Sequence, residues 1–594
     1  MKTTAHTLRK LSGYLFRQPL RLILVLLLTI AAAGLTLLGP YLTGVALDRY
    51  IIPGRYDGLL QLCLLLLGLY LLGSLVSWLQ NYLLADISQR TVWSLRKDLF
   101  QHLQRLPIPF FAGKSHGELM SRTTNDIDNI ASSLNQSLVQ IISSIIMLAG
   151  SLTMMLLLNG WLTLIAVVTA PLIAWFARTI ARRTGAQFKA QQQELGKLNG
   201  FIEETVSGHR VVALFHQEQR IASQFSETNS RLKQSGIRAQ IFSGMMGPFM
   251  NIFGHITYLL IAVAGGWLAL KDLTTVGVIV SFLGYSRQFS DPLNEVANQY
   301  NMIQAGVAGA ERVFEVMEVP SEYSGDESLP SMKPITGKVE FREVGFHYDT
   351  GKEILKQISF TAKPGDTIAL VGPTGAGKTT IVNVLGRFFD IDSGQILIDD
   401  TDIRSVNKDS LRSQLSIVLQ DAHLFSGTIR DNIRYGRLEA TDEEVEQAAV
   451  RAYAHPFISR LPLGYETELS AEGGNLSQGQ KQLITIARAM LANRALLILD
   501  EATSSVDTLA EIQIQKAIRE VISGKTSFII AHRLSTIRHA NTILVIQDGR
   551  IAEQGNHEQL MQLKGLYHEL QSSGSGFAGE DEQSFAGSVP SYNS

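Results

Sequence analysis

The chain has 594 residues, 45% of them apolar, and a formal net charge of −2. That length allows several domains, since single domains usually run to about 100–200 residues. The near-neutral charge, with no long basic run, excludes bulk attraction to nucleic acid. The one cysteine, Cys63, excludes an internal disulfide and, inside an apolar run, reads as a small buried filler.

Residues 1–21 form a leader with Lys2, Arg9, Lys10, Arg17 and Arg21 and no acid. Charge-free runs follow. Leu22–Leu47 and Leu59–Ala85 each exceed the roughly 20 residues that cross a hydrocarbon core. Ile130–Phe176 is about twice that length, and "LNGW" at Leu158–Trp161 supplies a turn, so it reads as two helices. Ile241–Leu270 is a fifth span, and a sixth begins near Leu273 and turns polar after Ser286. The first apolar run is too long for a signal peptide, whose core is only about 7–15 residues. Residues 22–320 are therefore expected to form an all-α membrane domain of six spans.

The distribution of Lys and Arg places the leader and the long loops Asp86–Asn129 and Ala177–Gln240 in the cytoplasm, and the C-terminal half with them. Leu95, Leu99, Leu103 and Leu106 recur at helical spacing, so the loops are expected to be helical extensions that dock a cytoplasmic domain. In the sixth span Arg287, Asp291 and Glu295 share one helical face. Either they line a substrate cavity, or the helix has left the bilayer and Arg287–Asp291 is a surface i,i+4 pair.

Residues 321–336, containing "SGDESLPSMKP", read as a turn-rich linker, 337–571 as an α/β domain, and 572–594, rich in Gly and Ser, as a disordered tail. "DTIALVGPTGAGKTTIVNVLGRFF" gives a strand, a glycine loop and a helix. It fits the phosphate-loop pattern G-x-x-x-x-G-K-[ST] across Gly372, Pro373, Thr374, Gly375, Ala376, Gly377, Lys378, Thr379 and Thr380. Glycines let successive N–H groups point at phosphate oxygens, Lys378 meets the β/γ-phosphates and Thr379 ligates Mg²⁺. The apolar strand Leu496–Leu499 ends in Asp500, expected to hold Mg²⁺, and Glu501, expected to polarise the attacking water. His532, after the apolar "TSFIIA", is placed to sense a γ-phosphate.

In order, "GPTGAGKTT", "IVLQD", "NLSQGQKQL", "LLILDEATSSVD" and "IIAHR" resemble the nucleotide-binding domain of ABC transporters, and "PFFAGKSHGELMSRTTND" (Pro109–Asp126) resembles the first coupling loop of ABC exporters. The resemblance covers nearly the whole chain. It is closest to half-size bacterial multidrug exporters, particularly heterodimeric ones: six membrane helices fused ahead of an ABC-type P-loop ATPase in the cell membrane, with both termini cytoplasmic.

It implies ATP and Mg²⁺ as cofactors, Tyr348 stacking on adenine, and Gln420 coupling Mg²⁺ and water to the membrane loops. Glu472 would contact the coupling helices, and the Ser505–Asp507 loop would reach the neighbouring subunit. Ser477, Gln478, Gly479 and Gln480 would act in trans on the γ-phosphate held by a second half-transporter. The family's usual signature is L-S-G-G-Q, and here Gln478 stands at its middle glycine. With Glu501 and His532 intact, this pattern resembles one subunit of a heterodimer that exports amphipathic small molecules or drugs. A homodimeric lipid flippase and a membrane-anchored P-loop ATPase that transports nothing are the alternatives. Membrane lipids are expected neighbours; nucleic acid is not.

Overall fold

The computed structural model describes residues 2–574 apart from 56, 327, 349–350, 352, 471–472, 501–507 and 531–536. The chain divides into two compact units, one made of Met1–Gln104 with His116–Val319, the other of Arg105–Ser115 with Pro320–Ser594.

The first unit is helical. α1 (Lys2–Leu15) precedes α2 (Pro19–Ala46) and α3 (Leu59–Leu103). After α4 (Ile108–Ala112), which belongs to the second unit, come α5 (His116–Ser121), α6 (Ile127–Leu158), α7 (Gly160–Ser207), α8 (His209–Leu214), α9 (Glu218–Ala269) and α10 (Val276–Met317). Pro19–Ile51, Leu59–Leu103, His116–Leu158 and Glu218–Ala269 are each long and apolar enough to cross a membrane, and α7 opens with the apolar stretch Gly160–Thr169. The expected turn forms at Asn159, whose side chain caps α7 by accepting hydrogen bonds from Trp161 N (3.0 Å) and Leu162 N (3.2 Å). α3, α7 and α9 continue unbroken far beyond one membrane thickness, as the helical spacing of the loops anticipated.

Cys63 corrects its sequence reading: it is exposed. Leu64, Leu67 and Leu71 around it are exposed as well, on a helix long and apolar enough to cross a membrane.

Pro40 lies inside α2, which runs on past it. Proline has no N–H, so the carbonyl four residues earlier loses its partner. Gln288 Nε2 of α10 donates to that carbonyl, Thr36 O (3.3 Å), and hydrogen bonds from Tyr285 Oη to Leu37 O (2.6 Å) and Ser281 Oγ to Pro40 O (2.8 Å) bind α10 to the same stretch of α2. Close approach makes this possible, since a Cβ on Gly277 would lie 2.2 Å from Gly44 O. At the other end of α10, Arg312 Nε donates to the buried Asp126 at 2.9 Å, within a π-helical turn at Arg122–Asp126.

The second unit is α/β. Its strands are β1 (Val339–His347), β2 (Glu353–Ala362), β3 (Thr367–Val371), β4 (Ser393–Ile398), β5 (Thr401–Asp402), β6 (Leu415–Val418), β7 (Gly427–Thr428), β8 (Glu468–Leu469), β9 (Leu496–Asp500), β10 (Thr526–Ile530), β11 (Thr542–Gln547) and β12 (Arg550–Gly555). Among the described residues one sheet has the order β12-β11-β3-β10-β9-β6, with β11, β3, β10, β9 and β6 parallel, and another has the antiparallel order β2-β1-β4-β5. The helices include α11 (Lys378–Leu385), α12 (Lys408–Arg412), α13 (Ile429–Arg434), α14 (Asp442–Arg451), α15 (His455–Ile458), α16 (Gln478–Ala492) and α17 (Thr508–Ile522).

The parallel strands read as continuous apolar runs because both faces are covered. Ile368 and Leu370 of β3 enter one core with Phe341, Phe360 and Phe528, whereas Ala369 and Val371 enter another with Leu483, Ile486 and Ile514.

The stretch after Pro320 is pinned rather than free. Asp326, 4% exposed, accepts from Lys408 N at 2.7 Å and faces Arg387 at 3.6 Å. Glu322 takes an ion pair from Arg412, which also donates through Nε to Gly386 O (3.3 Å) just past α11, and Glu322 N donates to Arg105 O (2.8 Å). Removing one member of a buried pair strands the other charge. Asp326→Ala is therefore expected to destabilise this unit by about 3–5 kcal/mol, read as a lowered unfolding midpoint of the purified chain. The last helix, Leu566–Gly574, runs past Gln571, and the remainder of the expected tail lies outside the described residues.

Candidate functional site

β3 ends at Val371 and the chain turns at Gly372, whose φ is +148°. A Cβ there would sit 2.1 Å from the carbonyl oxygen of Ile546 on the adjacent β11, which is backbone and cannot yield. Gly375 (φ +81°) and Gly377 (φ +107°) also occupy the left-handed region, the latter as the N-cap of α11. The loop thus aims N–H groups and a helix N-terminus into one concavity, a ready cradle for anions. Gly372→Ala is expected to cost about 3 kcal/mol or more and to abolish ATP binding, checked by thermal unfolding with and without nucleotide.

Lys378, 7% exposed, donates from Nζ to Gly372 O (2.7 Å) and Pro373 O (3.0 Å), so its ammonium is folded into the loop it belongs to. Burial pulls its pKa below the ordinary lysine value, against the opposing charge of Asp500. Thr379 is exposed at the first turn of α11, and Thr380 is buried behind it. The hydroxyls of Tyr348 and Thr380 lie 3.2 Å apart, and Phe346 and Phe389 pack edge-on against the Tyr348 ring at 4.9 and 5.1 Å. Tyr348 is thereby held beside the phosphate loop with its ring half-buried.

Strand register brings further groups to the same edge. Leu370 pairs with Ile530, Ile530 with Asp500, and Leu499 with Val418, so β3, β10, β9 and β6 all end together. In open α/β sheets that carboxyl edge is where ligands bind. The loop from Gly372, Asp500 and the exposed Gln420 are delivered there. Hydroxyl, carboxylate and amide oxygens are hard donors that suit Mg²⁺ alongside phosphate, so Thr379, Asp500 and Gln420 fit the ion. Glu501 and His532, which follow β9 and β10 in sequence, lie outside the described residues, as do Glu472, Ser505 and Asp507.

The stretch that resembles the signature starts α16. Ser477 Oγ accepts from Gln480 N (3.3 Å) while Gln480 Oε1 accepts from Ser477 N (3.0 Å), a reciprocal capping box. Gly479 is buried in the helix, whereas Ser477 and Gln478 are exposed at its N-terminal end. Sequence reading missed Arg488 on the same helix. Its guanidinium donates to Asn432 O (2.8 Å) and His423 O (3.2 Å), tying α16 to the segment after Gln420, and burial lowers its pKa. Its only trace in the sequence is a basic residue within an otherwise apolar helix. In the first unit, Arg287 and Asp291 are exposed on α10, and the ion pairs among the described residues do not include the i,i+4 pair Arg287–Asp291; the side chain of Glu295 lies outside the described residues.

A model of the ABC transporter transmembrane region matches residues 22–293, and an ABC transporter model matches residues 355–504. The chain is 49% identical over 572 residues to the uncharacterized ABC transporter ATP-binding protein YfiC of Bacillus subtilis (strain 168), covering 96% of this chain and 95% of that one. It is 46% identical over 523 residues to the fatty acid ABC transporter ATP-binding/permease protein of Mycobacterium bovis (strain ATCC BAA-935 / AF2122/97), covering 88% and 83%. A solved bacterial Atm1-family ABC exporter with ATP bound matches at a TM-score of 0.77 and 30% identity, over 95% of this chain and 99% of that one. The chain therefore belongs to the ABC transporters, as an exporter-type half-transporter of the plasma membrane whose C-terminal domain binds ATP with Mg²⁺ and couples its hydrolysis to transport.

Proposed function

We propose that this chain exports amphipathic small molecules, drugs among them, as one half of a heterodimer. The observation that carries the heterodimer is Gln478, which stands at the exposed start of α16 where the family has glycine, in a sequence that keeps Glu501 and His532. An altered signature here faces the site held by the partner, while this chain's own catalytic groups face the partner's signature. Membership of the exporters removes the reading as a non-transporting anchored ATPase.

In this reading the loop Gly372–Thr380 and Lys378 hold the β/γ-phosphates, Tyr348 stacks on adenine, and Thr379, Gln420 and Asp500 hold Mg²⁺. Glu501 polarises the attacking water and His532 contacts the γ-phosphate. Ser477, Gln478, Gly479 and Gln480 complete the partner's site, because phosphoryl transfer depends on positioning and charge stabilisation that a group in trans supplies. Ser505 and Asp507 reach the partner, Glu472 meets the coupling helices, and Arg287, Asp291 and Glu295 line the substrate path. The domain limits 22–320 and 337–571 belong to the same reading.

The test is ATPase activity and dye efflux in vesicles, from this chain alone and with a half-transporter encoded beside it. Strong stimulation by that partner supports the heterodimer. Full hydrolysis and efflux from this chain alone, unchanged by the partner, overturns it in favour of a homodimer. A lipid-like substrate is the second reading, favoured by the 46% identity to a protein described as a fatty acid transporter; fatty-acid efflux in the same vesicles, in place of dye efflux, would support it.

A further inference from the structure

Under α1 the first unit forms a half-open apolar cavity of about 470 Å³, within the ~300–1,000 Å³ range of ligand pockets. Leu8, Leu11 and Leu15 line it from one face of α1, Ile130 and Ile142 from α6, and Ile303 from α10. Apolar walls left exposed to water cost free energy in proportion to their area, so a chain that could close over them would. Two features prevent collapse. α6 and α10 already touch beside it, since a Cβ on Gly306 would lie 2.4 Å from Ser133 Cβ. α1 is held in place by Lys10 paired with Glu318 and by Tyr14 Oη donating to Asp98 at 2.9 Å.

Depth and shape indicate the occupant. α6 ends at Leu158 on the outer side, and a bilayer of about 40–45 Å, headgroups included, reaches back some 28 residues along it. Ile142 therefore lies in the hydrocarbon and Ile130 at the inner headgroup layer, about 18 Å apart along the helix. The cavity has the length and lining for a single acyl chain running inward from the headgroups. Two hydroxyls, Ser12 and Ser133, interrupt the apolar wall.

Charge indicates the headgroup. Lys10 is paired with Glu318, Arg17 faces Asp98 at 3.6 Å and Arg21 pairs with Asp86. Arg9, next to Leu8 on α1, is exposed and makes no ion pair among the described residues. We infer that this cavity is a site for one acyl chain of an anionic phospholipid of the inner leaflet, with the lipid phosphate at Arg9.

The test uses the full-length protein in nanodiscs of phosphatidylglycerol and phosphatidylcholine. Retained lipid is counted by native mass spectrometry, and a diazirine-bearing phosphatidylglycerol is mapped by its cross-linked peptides. Wild type should retain phosphatidylglycerol and label peptides of α1, α6 or α10. Leu11→Trp and, independently, Ile142→Trp should each lose one retained lipid per chain, so misfolding of one variant leaves the other decisive. Arg9→Gln should keep a lipid but lose about five-fold in preference for phosphatidylglycerol, the effect of one basic residue at an anionic surface. Retention unchanged in both tryptophan variants, labelling confined to α7 and α9, or an unaltered lipid preference in Arg9→Gln overturns the assignment.

Discussion

Lys378→Ala is expected to weaken ATP binding at least about 30-fold while leaving the fold of the second unit intact. The lysine is the buried positive charge of a loop otherwise built from backbone, and its ammonium now sits on two carbonyls of that same loop. A phosphate offers it a full counter-charge. The exchange is favourable because burial has already removed most of the water that would stabilise the free ammonium, which is why its pKa is held low. Truncating one partner of a desolvated charge pair costs about 2–5 kcal/mol, and each 1.4 kcal/mol is tenfold in affinity. Titration with a fluorescent ATP analogue checks the loss. Unfolding of the ligand-free protein separates it from simple destabilisation: an unchanged affinity would remove Lys378 from the phosphate contacts.

Glu501→Gln is expected to give the opposite pattern. ATP should bind as before, with turnover reduced about 10²–10⁴-fold, the range associated with a positioned acid–base group. The substitution keeps shape and hydrogen-bonding reach but removes the negative charge that polarises water. Glu501 follows Asp500, the last residue of β9, in sequence. Phosphate release and retained radiolabelled ATP, measured side by side, distinguish lost chemistry from lost binding. Hydrolysis at the wild-type rate would remove the catalytic assignment and pass it to His532 or another group.

The two results together separate the halves of the site. Lys378→Ala tests the electrostatic cradle, where a fixed charge must be present before chemistry begins. Glu501→Gln tests the step after binding, in which only the water and the transferring phosphoryl group move.

Membrane helices, phosphate loop and family were legible in the residues alone, and for physical reasons. Long charge-free runs tolerate few environments other than lipid, and strands covered on both faces leave uninterrupted apolar stretches such as Thr367–Val371. A phosphate cradle demands glycine, lysine and threonine at set spacing, because only those groups satisfy its backbone geometry and charge. The hairpin at Asn159 was legible too, since asparagine beside glycine interrupts an apolar run and caps the helix that follows.

Pairings across long separations left no such trace. Nothing periodic marks Gln288 as the partner of a carbonyl freed by Pro40, Arg412 as the link between α11 and Glu322, or Arg488 as the tie to Asn432. Hydropathy likewise cannot tell which side of a helix meets lipid and which meets protein, so Cys63 was misplaced. The chemistry could be read off the chain because it is local: a loop, a helix start, a carboxylate at a strand end. Folding alone sets which distant side chains bind α10 to α2, bury the charges and hold open the cavity under α1, because those contacts depend on where residues far apart in the chain come together.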